Sequence, residues 1–188
     1  AAAEAAARGG YGKLVAFLAA RTRDVAAAED ALSEAFASAL IDWPKNGVPA
    51  QPEAWLLTAA RRKLIDAARR AQTSKAATPR LQLMVEEMDA AAQDRSEIPD
   101  DRLALMFACA HPAIDAAIRA PLILQTVLGF DAATIASAFL VAPTTMGQRL
   151  SRAKARIGLA GVPFRIPDRA EMPQRLAAVL DACCPQPA

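Results

Sequence analysis

Apolar residues recur along this chain at spacings of three and four, and no β-branched or aromatic run reaches strand length. The clearest stretch is 131–157, DAATIASAFLVAPTTMGQRLSRAKARI. Its pattern predicts a short helix, a break around 141–143, and a second helix. In that second helix Met146, Leu150, Ala153 and Ile157 share one face and are expected to be buried. Thr145, Arg149, Arg152 and Arg156 follow the same period on an adjoining face, with Gln148 beside them. A helix held by one apolar seam and offering Thr, Gln and Arg next to it suits a DNA major groove. An ordinary solvated amphipathic helix carries the same pattern, so both readings stand at this point.

The same period predicts helices elsewhere. A short apolar helix is expected at 11–20 after an Ala-rich lead. Asp24 is placed to cap the next helix, whose apolar positions are Val25, Ala28, Leu32, Phe36, Leu40 and Trp43. Its other face offers Glu29, Asp30, Ser33 and Glu34, either as a solvated edge or as a surface for a basic partner. PKNGVPAQP (44–52) reads as a loop, because three prolines and a glycine oppose a continuous helix. Pro52 then suits the first turn of a helix burying Trp55, Leu56, Ala59, Ala60, Leu64 and Ala67. Further helices are expected at 103–109, 113–128 and 175–182, with His111-Pro112 and Gly129 as breaks. The fold class is therefore all-α, a choice that the Ala-rich composition with only 5% aromatic residues supports. Two small helical domains, 1–73 and 98–160, are expected on either side of a partly helical linker at 74–97, with a tail at 161–188. The second domain would hold the helix–turn–helix. Units of about 70 residues have marginal cores, so each is expected to depend on docking to something larger.

The net charge of +2 says little, but its distribution is informative. Arg61, Arg62, Lys63, Arg69, Arg70, Lys75 and Arg80 face a lone Asp66 in their segment. Glu86, Glu87, Asp89, Asp94, Glu97, Asp100 and Asp101 follow with only Arg95 among them, and 149–165 is again basic with no acid. Two basic surfaces separated by an acidic connector suggest two polyanion-facing regions. Cys109 sits in an apolar run and reads as a core residue, while Cys183 and Cys184 read as a frayed tail. The lone histidine, His111, reads as a helix boundary rather than a ligand, and no spacing suits zinc. No metal, cofactor or catalytic residue is expected: no nucleophile–base pair and no phosphate-cradling glycine loop is present. No membrane-length apolar run or signal peptide is seen, so a cytoplasmic location is expected.

Two separate segments resemble one family. AEDALSEAF (28–36), then a loop, then AWLLTAARRKLIDAARR (54–70) resembles the second conserved domain of bacterial sigma factors of the extracytoplasmic-function type. VAPTTMGQRLSRAK (141–154) resembles the promoter-reading helix of their fourth domain, and the resemblance spans about residues 5 to 160. DDRLALMFACAHP (100–112) and PFRIPD (163–168) resemble a subgroup that continues into a large helical C-terminal extension, which is expected to be absent or truncated here.

The resemblance implies roles and partners. Glu29, Asp30, Ser33 and Glu34 would dock on the clamp helices of the largest subunit of core RNA polymerase. The loop 43–52 would hold an unpaired base of the −10 promoter element, with Asn46 and Gly47 closest to it. Arg61, Arg62, Lys63, Arg69 and Arg70 would track the DNA backbone nearby. Thr144, Thr145, Gln148, Arg149 and Arg152 would read the −35 element, while Lys154 and Arg156 would contact phosphate. An anti-sigma factor is a further partner that the family allows. Arg62 stands where members often carry Asn, and Gly147 where a Lys or Arg is usual. The alternative function is a regulator that uses its helix–turn–helix without polymerase. High-affinity binding of the free protein to duplex operator would distinguish it.

Overall fold

Asp24, Asp115 and Asp131 each turn a side-chain oxygen onto free N–H groups of the helix turn that follows. Such groups have no intrahelical partner, so the carboxylates decide where three of the helices begin. The computed structural model describes residues 2–72 and 98–183, with side chains at 9–67 and 98–182. Among them are eight helices and no strands: α1 (Ala2–Thr22), α2 (Val25–Asn46), α3 (Pro52–Gln72), α4 (Arg102–Cys109), α5 (Ala116–Thr126), α6 (Ala132–Ala138), α7 (Pro143–Leu159) and α8 (Met172–Cys183). The expected linker at 74–97, Lys75, Arg80 and Cys184 lie outside the described residues, as do the side chains of Arg69, Arg70 and Cys183.

In the first half, α1 to α3 pack as a three-helix unit. The α1–α2 corner is tight. Arg23 takes a left-handed φ of 55°, its N–H closes on the Ala19 carbonyl, and Asp24 caps α2 by accepting from the Ala27 N–H at 3.0 Å. The Trp43 and Trp55 rings meet edge to face with centroids 5.6 Å apart, pinning α3 onto the end of α2.

Several boundaries differ from expectation. α1 starts at Ala2 rather than at Tyr11, because the Ala-rich lead is itself a strong helix former. α2 runs through Pro44 to Asn46, shortening the expected loop. Proline removes one donor there, but the Gly47 N–H still reaches the Trp43 carbonyl at 3.0 Å, so the last turn closes. Gly47 then ends the helix with φ +86°. Leu40 is 61% exposed, since Val25, Ala28, Leu32, Ala35, Ala39 and Trp43 carry the buried seam of α2. Ala67 is likewise exposed on α3. α5 starts later than expected, because a turn at 111–115 precedes the Asp115 cap. α8 extends further on both sides than the expected 175–182.

The two halves are packed on each other and share one cluster of buried residues. α1 lies against α4 and α5, and α2 against α7. Gly12 on α1 meets the backbone of Val127: a Cβ built there would lie 1.8 Å from the Val127 carbonyl oxygen. Only glycine allows that approach. Tyr11 packs beside Gly129, whose φ is +75°. Arg21 pairs with Asp101 at 3.5 Å across the same boundary.

Candidate nucleic-acid interface

α7 begins without a side-chain cap on Ala142, and Pro143 at the first position presets the helical φ instead. A four-residue connection, 139–142, separates it from α6, with Leu140 in the left-handed region at φ 52°. Met146, Leu150, Ala153 and Ile157 are all buried, which orients the helix as its period predicts. Thr144, Gln148, Arg149, Arg152 and Arg156 are exposed, and Thr145 is half-buried. Among the described residues none of these three arginines forms an ion pair, so their guanidinium groups are available to an outside anion. Gly147 has open space where a Cβ would stand.

Lys154 behaves differently. Its Nζ lies 2.5 Å from Glu29 Oε2, with the Lys side chain 13% and the Glu side chain 9% exposed. Glu29 is therefore buried rather than displayed with Asp30, Ser33 and Glu34, which are exposed. The expected acidic face is corrected at that one residue. Burial holds the Glu29 carboxyl above its ordinary range; Lys154 pulls the other way without cancelling the effect, and Asp30 adds to the rise. The other oxygen, Oε1, is buried with no hydrogen-bond partner among the described residues. The pair joins α2 to α7, so the same contact removes an acid from one expected surface and a base from the other.

On α3, Arg62 is exposed, Arg61 and Lys63 are half-buried, and Lys63 reaches Glu34 at 3.1 Å. That pair is largely solvated and contributes only about 0–1 kcal/mol. Burial, with Arg62 adding to it, holds the Arg61 guanidinium below its usual value. At the end of α2, Asn46 donates through Nδ2 to Asp42 Oδ1 at 2.7 Å. Asn46 and Gly47 are both exposed, and a Cβ at Gly47 would meet open space. Thus α3 and the α2–α3 connection present one basic and polar surface, and α7 presents a second.

Cys109 is fully buried, as expected; burial pushes its thiol up to about 12. Its sulfur lies 3.4 Å from the Thr126 hydroxyl, which itself donates to the Leu122 carbonyl. Among the described residues no group of three or more His, Cys, Asp or Glu could hold a metal ion. None of their helices is long and apolar enough to cross a membrane.

Residues 10–74 match the family Sigma-70 region 2. The chain is also 40% identical over 162 residues to the uncharacterized protein R00370 of Rhizobium meliloti (strain 1021), covering 84% of this chain and 38% of that relative. The chain thus spans well under half the length of the curated relative it matches. No solved structure matches it.

Proposed function

We propose that this chain is the promoter-recognising part of a sigma factor of the extracytoplasmic-function type, one that binds core RNA polymerase in the cytoplasm. The observation that carries this reading is a region 2 domain followed, in the same chain, by a helix with an unpaired arginine face. Asp30, Ser33 and Glu34 dock on the clamp helices of the largest subunit. The connection around Asn46 and Gly47 receives an unpaired base of the −10 element, and Arg61, Arg62, Lys63, Arg69 and Arg70 follow the nearby backbone. α6 and α7 act as a helix–turn–helix, with Thr144, Thr145, Gln148, Arg149 and Arg152 toward the −35 bases and Arg156 toward phosphate.

Unpairing a base costs a few kcal/mol, which pocket and phosphate contacts must offset. A bidentate arginine–guanine pair discriminates by about 1–3 kcal/mol, and the phosphate contacts make binding strongly salt-dependent. Glu29 and Lys154 enter this reading as a pair. Lys154 reaches phosphate, and Glu29 reaches polymerase, only when α2 and α7 separate. Run-off transcription with core polymerase on promoters upstream of candidate target genes tests the reading. Stimulation dependent on the protein is expected. Absence of stimulation on every promoter, together with no retention of polymerase on the immobilised protein, would overturn it.

A further inference from the structure

The segment after α7 carries chemistry that the promoter reading does not use. PFRIPD (163–168) crosses back over the α4–α5 turn, anchored by buried Val162 and Pro167. Between it, His111 and the first turns of α8 lies a cavity of about 150 Å³. Arg165, Arg175, Glu171 and His111 line it, and Arg119 stands close enough to act electrostatically on both His111 and Arg175. Arg165 and Arg175 line the cavity with one carboxylate, Glu171, and that carboxylate is engaged by Arg165 at 2.9 Å.

Arg119 and Arg175 are held in place by neutral carbonyl partners, whereas Arg165 pairs with Glu171. Arg119 Nε donates to the Ile114 carbonyl at 2.9 Å, and Arg175 donates through one terminal nitrogen to the Phe107 carbonyl. Arg175 Nε is buried and has no hydrogen-bond partner among the described residues. His111 accepts the Ala113 N–H on Nδ1 at 3.1 Å, so the neutral ring carries its proton on Nε2 and presents a further donor. Burial, then the charges of Arg175 and Arg119, hold the imidazole below its ordinary value; Glu171 opposes them weakly. A small recess lined by prolines and rich in fixed N–H donors, with surplus positive charge, fits an oxyanion.

We propose that this cavity binds a single phosphate group, held by Arg165 and Arg175 with His111 as an additional donor. The phosphate could belong to a free small molecule or to a nucleic-acid backbone. The recessed position of the cavity favours the free ligand. A bound phosphate supplies the missing counter-charge and raises the affinity of His111 for its proton. The proposal is independent of whether the chain engages polymerase.

His111 is the single histidine of the chain, so its ring resonances report on the site in the whole protein. Inorganic phosphate added at constant ionic strength, against chloride, is expected to move them saturably and to raise the His111 pKa. Arg165→Gln and Arg175→Gln are each expected to weaken phosphate binding tenfold or more. Arg165 is half exposed, so its variant keeps the test valid if Arg175→Gln fails to fold. A His111 titration that is the same in phosphate and chloride would overturn the proposal, as would unchanged phosphate affinity in Arg165→Gln. A short duplex without a terminal phosphate forms the second arm. Shifts with the duplex but none with phosphate would overturn the free-ligand assignment and make the recess a backbone contact.

Discussion

α2 and α7 are built on the same plan and end up with opposite surfaces. Each buries an apolar seam along one side, and each carries an ionisable residue at the edge of that seam. In α2, Glu29 lies four residues after Val25 and three before Leu32. In α7, Lys154 lies four after Leu150 and three before Ile157. Because α2 packs against α7, these edge residues are carried inward and pair with each other. The remaining charges diverge. Glu34 on α2 is matched by Lys63 of α3, whereas Arg149, Arg152 and Arg156 on α7 meet no acid among the described residues. The difference identifies α7 as the face with the most unspent charge, and the Glu29–Lys154 contact as the fastener between the halves.

Breaking that fastener should have the largest effect. Lys154→Ala leaves a carboxylate buried with nothing to balance it, and removing one partner of a buried pair costs about 3–5 kcal/mol. Urea unfolding is the measure; a loss well under 1 kcal/mol would mean that the pair does not hold the halves together. The double variant Glu29→Leu, Lys154→Met should recover most of the loss, because apolar replacements of buried pairs are often neutral or better by about 1–4 kcal/mol. Gly12→Leu attacks the same boundary by sterics. It should expand the protein in solution scattering, since the Val127 carbonyl occupies the space that a side chain needs.

On the side proposed to face DNA, Arg149→Ala should weaken binding to a −35 sequence by roughly tenfold, in line with about 1–3 kcal/mol for a lost bidentate contact. Arg156→Ala should instead flatten the salt dependence without changing sequence preference. Fluorescence anisotropy at several salt concentrations separates the two. Across the molecule, Asp30→Arg or Glu34→Arg should reduce retention of core polymerase while leaving duplex binding intact. Equal retention by both would remove α2 from the proposed polymerase surface.

A pH series gives a smaller and more specific signature. The folded-state pKa of Glu29 is raised, so its contribution to stability is full below the ordinary carboxylate pKa and is lost as pH rises through the raised value. The stability of the wild type relative to Glu29→Gln should therefore fall as pH increases over that window. A difference that grows with pH would show the Lys154 attraction to outweigh burial. The smallest change expected is at Gly147, where open space surrounds the missing Cβ. Gly147→Ala should raise stability by about 1 kcal/mol, the usual difference in helix propensity.

Much of this architecture could be read without coordinates. The seam Met146, Leu150, Ala153 and Ile157, the caps Asp24 and Asp131, and the core position of Cys109 all follow from local spacing, and all appear in the fold. Leu40 misled because Leu is apolar wherever it stands; the small Ala39 took the buried seam position instead. Glu29 could have been suspected from its spacing to Val25 and Leu32, but a carboxylate there had no visible partner until α7 supplied one. The recess at His111 and Arg175 gave no pattern at all, because its residues come from separate turns and helix starts brought together by packing.

Helical period, capping and turn chemistry act between residues a few positions apart, so the chain alone determined that the protein is helical and which faces carry apolar or basic groups. Which charges stay in water was decided only by tertiary structure. Glu29 and Lys154 are 125 positions apart, and no local rule links them. Their burial depends on α2 packing against α7, a contact that only the folded chain brings about.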